Sequence, residues 1–399
     1  MRRVALVTTS RADYGIQSRL IRMLQGDDDI DFSLVVSGTH LSERHGMTIR
    51  EIEGDGIRVA QKLDIGIDQE RDVARVMAKA IVLFADALGQ IKPDVCVILG
   101  DRYEMLAASL ACTLNNIVIA HLYGGETTEG AIDEVFRHSI TKAAYLHFTS
   151  CEAYRRRVIQ MGESPERVLN VGSLGVENIH SVQLMTREAL EEDLRVKFSR
   201  KNYLVTFHPA TCEKGSALEQ IDELLAALGT IDDALVVFTH PNADAEGDVI
   251  AERIAAFAAH RRNAAFYKSL GAKRYLSLAK VVDAVIGNSS SGIVEVPSLR
   301  TATINIGNRQ RGRVQAKSTL NCEPDRHAIL EALAQSESPE YRRVVEKAEN
   351  PYFKAGTAEN ILRIIKSFPI ENGGKKKFFD LECVSSALAN QFHDLTAEG

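Results

Sequence analysis

None of the six cysteines of this chain (Cys96, Cys112, Cys151, Cys212, Cys322, Cys383) is spaced as CxxC. That spacing removes the usual signs of a zinc site or a dithiol motif. Cys96 and Cys112 fall inside apolar runs, so they read as buried free thiols of a protein from a reducing compartment. No apolar stretch approaches the roughly 20 residues that a bilayer-crossing helix needs. The first apolar run, residues 4–7, stops at Thr8-Thr9-Ser10-Arg11, too short for a secretory h-region, and a cytoplasmic protein is expected. No charge of one sign dominates. Lys and Arg total 48, Asp and Glu 54, for a formal net charge of −6. This argues against nucleic acid as a partner, yet leaves room for a local basic pocket for a small phosphorylated ligand. No GxGxxG opens the first strand, so a dinucleotide is disfavoured, and no Lys completes a Walker-type loop. No His/Asp/Glu set has metal-ligand spacing, so neither a metal nor a cofactor is expected.

The chain has 399 residues, long for one core, so two domains are the prior. Hydrophobic content of 45% and charged content of 26% are ordinary for a globular protein. Strand-like apolar runs (residues 4–8, 32–37, 95–99, 117–121, 146–150 and 168–171) alternate with helix-length periodic segments (14–24, 73–88, 102–114, 134–144 and 151–161). The series repeats at 203–208, 234–240, 265–268, 281–286 and 301–306. Continuous rather than alternating apolar runs mean strands covered on both faces, and strand–helix alternation implies right-handed parallel units. The pattern predicts an α/β protein of two Rossmann-like doubly wound domains, 1–175 and 176–370, with a charged tail at 371–399 and a ligand cleft between the domains. The Lys375-Lys376-Lys377 run in the tail reads as solvated surface.

Polar residues gather at the expected strand ends. Gly287-Asn288-Ser289-Ser290-Ser291-Gly292 follows an apolar run and precedes a helix start. It reads either as a phosphate cradle, with Glu295 placed to accept from a sugar hydroxyl, or as an N-capped Ser/Gly turn. Arg11 faces either an anion or Asp13; Asp101 is either a rim carboxylate or a helix N-cap. In the 121–138 segment, Glu126, Glu129, Asp133, Glu134 and Arg137 gather with His121 and His138. Asp133, Arg137 and Thr141 share a helical face, which could also make Asp133–Arg137 a simple ion pair. Taken together, these groups suit acid/base chemistry. His208 and His240, each followed by Pro, and Arg309, Arg311 and Arg313 add donors that match phosphate oxygens. Carboxylates in the first domain and anion-binding groups in the second suit a nucleotide-diphosphate sugar laid across the cleft.

The motifs TSRADYG (9–15), LGDRYE (99–104), HLYGGE (121–126), IDEVFRHSITK (132–142), GSLGVEN (172–178), FHP (207–209), GNSSSGIVEVPSL (287–299), TINIGNRQRGR (303–313) and NPYFK (350–354) cover most of the chain in order. With them the chain resembles the hydrolysing UDP-N-acetylglucosamine 2-epimerases of bacterial sialic acid synthesis. The resemblance implies a fold like the GT-B glycosyltransferases and a hydrolase reaction: UDP-N-acetylglucosamine and water give N-acetylmannosamine and UDP. The C2 proton leaves as UDP departs, and water then adds to the 2-acetamidoglucal. It implies acid/base roles for Asp101 and Asp133, a partner role for Arg137, and a place for His208 by the leaving phosphate. Arg11, Arg102, Asn242, Ser289, Ser290 and Glu295 become implied UDP contacts. His240, Ser291, Gly292, Arg309 and Arg313 join them from the anion-site reading. Many relatives carry Glu where this chain has Tyr123. Either Glu126 takes that role through a shifted loop, or another group does. A homodimer or homotetramer is expected, as is common for this fold. The same chemistry on a UDP- or GDP-linked 2,4-diacetamido-trideoxy hexose, a non-hydrolysing epimerase, a GT-B glycosyltransferase and a silent nucleotide-sugar binder are the alternatives.

Overall fold

The computed structural model describes residues 1–129, 132–209, 217–241, 247–370 and 374–381. Strands β1 (Arg2–Thr8), β2 (Ile30–Ser37), β3 (Val59–Leu63), β4 (Val95–Leu99), β5 (Val118–Leu122), β6 (Leu146–Thr149) and β7 (Val168–Asn170) form one sheet in the order β3-β2-β1-β4-β5-β6-β7. A second sheet, ordered β10-β9-β8-β11-β12-β13, is built from β8 (Lys201–Thr206), β9 (Ala234–Thr239), β10 (Ala264–Tyr267), β11 (Ala284–Gly287), β12 (Ala302–Ile306) and β13 (Thr319–Cys322). All pairings in both sheets are parallel. The two Rossmann-like doubly wound domains expected from the sequence are therefore present, and the fold is GT-B-like. Alternate residues of β1 show why its run is continuously apolar. Val4 and Leu6 enter the core on one face of the sheet, and Ala5 and Val7 enter the core on the other.

Two strands escaped the sequence reading, β3 and β13. Both are edge strands with half-exposed residues such as Gln61, Lys62, Thr319 and Asn321, so neither carries an apolar run. β11 starts at Ala284 rather than Val281, because the preceding helix Gly271–Val281 takes up the first valine.

Among the described residues the chain passes between the cores of the two sheets twice. Helix Leu174–Ser181 stays with the first domain, where Asn178 donates to the carbonyls of Gly15 and Ile16 at 3.1 Å. The final helix, Thr357–Ser367, returns to that domain: Ala358, Ile361 and Ile365 complete the core that contains Val4 and Leu6. Burying this amphipathic face outweighs sequence proximity to the second domain. Buried Glu177 caps the returning helix by accepting from the N–H groups of Thr357 and Ala358 at 2.8 and 2.9 Å. The tail also departs from expectation. Lys376 is not solvated: its Nζ donates to Glu163 at 2.7 Å, a fully buried carboxylate that also receives Lys142 at 2.8 Å and His147 at 3.1 Å.

In each sheet the strand order reverses once, between β1 and β4 and between β8 and β11. The crevice beyond the carboxyl ends at such a reversal is where doubly wound sheets hold ligands. Arg11 and Asp101 follow β1 and β4, and His208 and Ser289 follow β8 and β11. At the second reversal the backbones crowd: a Cβ on Gly287, at φ 132°, would lie 1.9 Å from the Thr206 carbonyl oxygen, so only glycine fits. Among the described residues no helix is long and apolar enough to cross a membrane.

Candidate active site

The carboxylate cluster of the first domain is organised by Arg137, a fully buried side chain on the helix Asp133–Ala143. Its guanidinium grips the carboxylates of Asp101 and Glu134, the Thr128 hydroxyl at 2.8 Å and the Glu126 carbonyl at 3.1 Å. Burial opposes its charge, but Asp101, Glu126 and Glu134 outweigh that cost and raise its pKa. The helix ion pair that the spacing suggested is not formed with Asp133: Arg137 pairs with Asp101 and Glu134 instead. Asp101 is not a helix N-cap either; that place belongs to Arg102. Asp133, at the start of the same helix, is half-buried, and burial with the neighbouring Asp101 charge raises its pKa against the pull of Arg102 and Arg137. Two carboxylates thus sit in unlike settings, one clamped by a cation and one holding its proton more tightly.

His121 and Thr141 brace the Asp101 turn. Buried His121 on β5 donates from Nε2 to the Gly100 carbonyl at 2.8 Å and accepts at Nδ1 from Thr141 at 3.2 Å. Burial pushes its pKa down to about 3, so this bridge is made by a neutral ring. Gly100 turns the chain at φ 77°. Arg102 is held by both oxygens of the fully buried Glu104, at 2.9 and 3.2 Å, and its charge also acts on Asp13 and Asp133. Asp13 itself is bonded to Thr9 at 2.8 Å, so Arg11 pairs not with it but with Glu51, at 3.1 Å on the surface.

The loop after β5 resolves where its carboxylate points. Tyr123 occupies the left-handed region at φ 69°, and its hydroxyl bonds Ser173 at 2.9 Å. Burial pushes its phenol pKa well above the usual range, so Tyr123 is no base at neutral pH. Glu126 lies further along, accepting from Ser150 at 2.6 Å and facing Arg313 at 3.9 Å across the domain boundary.

On the second domain a pocket of about 410 Å³ is lined by Thr206, His208, His240, Tyr275, Ser289, Ser291 and Glu295, among others. Ser289 is the N-cap of the helix Ser290–Val294, accepting from the Ser291 N–H at 3.4 Å. The capped turn is thus real, and it also lines the pocket. The helix has only five residues, so any anion there meets individual N–H and hydroxyl donors more than a macrodipole. Gly292 packs tightly, with a Cβ position 2.9 Å from Thr303. Glu295 accepts from the Ser291 hydroxyl, and burial raises its pKa. His208 is buried; burial and the Arg309 charge hold it down to about 3, so it presents a neutral ring. Its backbone is bracketed by Asn288, which accepts from the His208 N–H at 2.7 Å and donates to its carbonyl at 2.8 Å. Asn288 carries no sequence signal beyond a carboxamide at a strand end, and the structure places it against the His208 backbone. His240 stacks on Phe266 with centroids 5.8 Å apart. Asn242 lies outside the described residues. Two larger grooves, about 960 and about 1020 Å³, open at the amino-terminal strand edges, near Arg3 and Val118 and near Ser199 and Ala264, away from the rim where such sheets bind ligands. Among the described residues no cluster of three metal-ligating side chains occurs.

Residues 22–366 match the sequence family described as UDP-N-acetylglucosamine 2-epimerase. The chain is 38% identical to the Escherichia coli polysialic acid biosynthesis protein P7 over 97% of this chain and 100% of that protein. It is also 38% identical to a Campylobacter jejuni GDP/UDP-N,N'-diacetylbacillosamine 2-epimerase (hydrolyzing), covering 86% of this chain and 89% of the relative. A UDP-GlcNAc 2-epimerase from Neisseria meningitidis, solved bound to UDP-GlcNAc, shares the fold with a TM-score of 0.71 and 18% identity over 90% of this chain and 98% of that one. With the carboxylates and the pocket placed as above, the chain belongs to the UDP-N-acetylglucosamine 2-epimerase family.

Proposed function

We propose that the protein is a hydrolysing 2-epimerase that converts UDP-N-acetylglucosamine and water to N-acetylmannosamine and UDP. The observation that carries the reading is the unlike pair Asp101 and Asp133, one clamped by buried Arg137 and one with a raised pKa. Neighbouring carboxyl groups pushed apart in this way supply a base and an acid from one site. In this scheme a carboxylate takes the C2 proton while the C1–O bond to UDP breaks, giving 2-acetamidoglucal. Water then adds at C1, and a carboxyl group returns a proton to C2 on the opposite face. The departing diphosphate would meet the Ser289–Ser291 donors, and a neutral His208 would serve as an N–H donor to it. Positioned donors and a positioned base each contribute several kcal/mol to such a step. Glu126 is the third acid/base group of this reading, because of the two loop carboxylates that face the other domain it is the more buried one, at 14% exposure against 56% for Glu129.

A second reading keeps the chemistry and changes the sugar to a UDP- or GDP-linked 2,4-diacetamido-trideoxy hexose. It is favoured by the equal identity of the chain to the diacetylbacillosamine epimerase. The test is incubation with each nucleotide sugar in D2O, reading released sugar and deuterium at C2 by NMR. Free N-acetylmannosamine deuterated at C2 is the expected result; intact UDP-linked product sinks the hydrolysing assignment. Asp101→Asn is expected to lower kcat about 10²–10⁴-fold, and full activity in that variant would remove its role.

A further inference from the structure

One short segment, residues 307–314, touches both halves of the site. At its start Arg309 and Gln310 donate to the Asn288 carbonyl at 3.1 and 2.9 Å, and Asn288 is the residue that brackets His208. At its end Arg313 Nη1 lies 3.9 Å from Glu126 Oε2, with both side chains at most 16% exposed. Between them Gly312 runs flush against the first domain, since a Cβ there would lie 2.5 Å from Glu129 Oε1. Val314 anchors the segment: its N–H donates to the Tyr154 hydroxyl at 3.2 Å and its carbonyl accepts from Tyr352 at 2.8 Å. The other oxygen of Glu126 accepts from Ser150 at 2.6 Å. Glu126 is therefore hydrogen-bonded by a hydroxyl of its own domain and faced, at ion-pair distance, by a guanidinium of the other.

We propose that Arg313 is a positioning residue for Glu126 rather than a nucleotide ligand, and that segment 307–314 links the seating of the nucleotide at Asn288 and His208 to the orientation of that carboxylate. The inference rests on the reading of Glu126 as an acid/base group. An ion pair across two domains forms only in the arrangement that brings the domains together, so Glu126 is fully oriented only there. A misplacement of about 1 Å at a reacting group costs about 10²-fold in rate, which sets the expected size of the effect.

The test compares Arg313→Gln and Arg313→Lys, with kcat and KM measured on UDP-N-acetylglucosamine and UDP affinity by calorimetry. Arg313→Gln is expected to lower kcat about 10²-fold while the UDP Kd changes less than about threefold. Arg313→Lys is expected to recover at least about tenfold of the loss, because it restores the cation without the fork. In a Glu126→Gln background Arg313→Gln adds no further loss, the signature of two residues acting as one unit. A weakened UDP Kd with kcat preserved would make Arg313 a nucleotide ligand and overturn the inference, as would additive losses or no loss at all. If Arg313→Gln melts below the assay temperature, the Lys variant and its cycle with Glu126→Gln carry the same decision. Glu126→Gln at wild-type kcat overturns the role of Glu126 and this inference with it, whereas a wild-type protein that neither releases sugar nor exchanges the C2 proton overturns the proposed function.

Discussion

At Asp133 the proposed chemistry trades against stability. Its pKa is raised by burial and by Asp101, so the folded state disfavours its charge. A folded pKa above the unfolded value of 3.8 means that stability is lost as pH rises through that window, and the penalty persists at neutral pH. Asp133→Asn is therefore expected to raise Tm at pH 7 while lowering turnover, a combination that thermal melts and initial rates will read together. An unchanged or lower Tm would show that the two arginines already offset the charge. Arg137 lies on the opposite side of the same trade, since removing it would strand the Asp101 and Glu134 carboxylates.

Individual elements are held by close approaches that tolerate little change. The end of β11 passes β8 so closely that Gly287→Ala would drive a Cβ to 1.9 Å from the Thr206 carbonyl oxygen. We expect that variant to lose several kcal/mol, beyond the about 0.5–1 kcal/mol of an ordinary glycine effect, and to lose UDP binding with it; urea unfolding and calorimetry check both. The tail makes a softer contact. Lys376 reaches Glu163 beneath the first sheet, and Phe379 N–H donates to the Gly162 carbonyl at 2.9 Å. Lys376→Ala should destabilise the first domain by less than the about 3–5 kcal/mol of a stranded buried pair, because Lys142 and His147 still face Glu163. Chemical denaturation with turnover as a second readout tests this, and turnover should hold while the midpoint falls.

For the whole molecule the buried histidines set the acid limit. His40 is held down to about 4, and His121 and His208 to about 3, in each case chiefly by burial. Their folded pKa values lie below the unfolded 6.5, so the unfolded chain binds protons the native state refuses. Stability present above pH 6.5 is then lost as pH falls, at up to about 1.4 kcal/mol per pH unit for each ring. Glu163, held near 2 against an unfolded 4.5, adds its own loss below pH 4.5. The urea midpoint should drop steeply between pH 6.5 and 4, and a flat midpoint there would mean the rings are protonated in the fold.

Much of this architecture was legible in the linear sequence, because burial on both faces of a strand leaves a continuous apolar run, as in Val4–Val7 and Val95–Leu99. The strand ends that carry Asp101, His208 and the serine loop were marked in the same way, by polar residues following such runs. Edge strands β3 and β13 left no such mark, and neither did the return of helix Thr357–Ser367 to the first core, since an amphipathic face does not name the surface that will bury it. Only the tertiary structure decided that Arg137 grips Asp101 rather than Asp133, that Lys376 is docked on Glu163, and that Arg313 faces Glu126. Local pattern dictates which side of an element is buried, whereas pairings between distant strand ends depend on how two sheets are wound and set against each other.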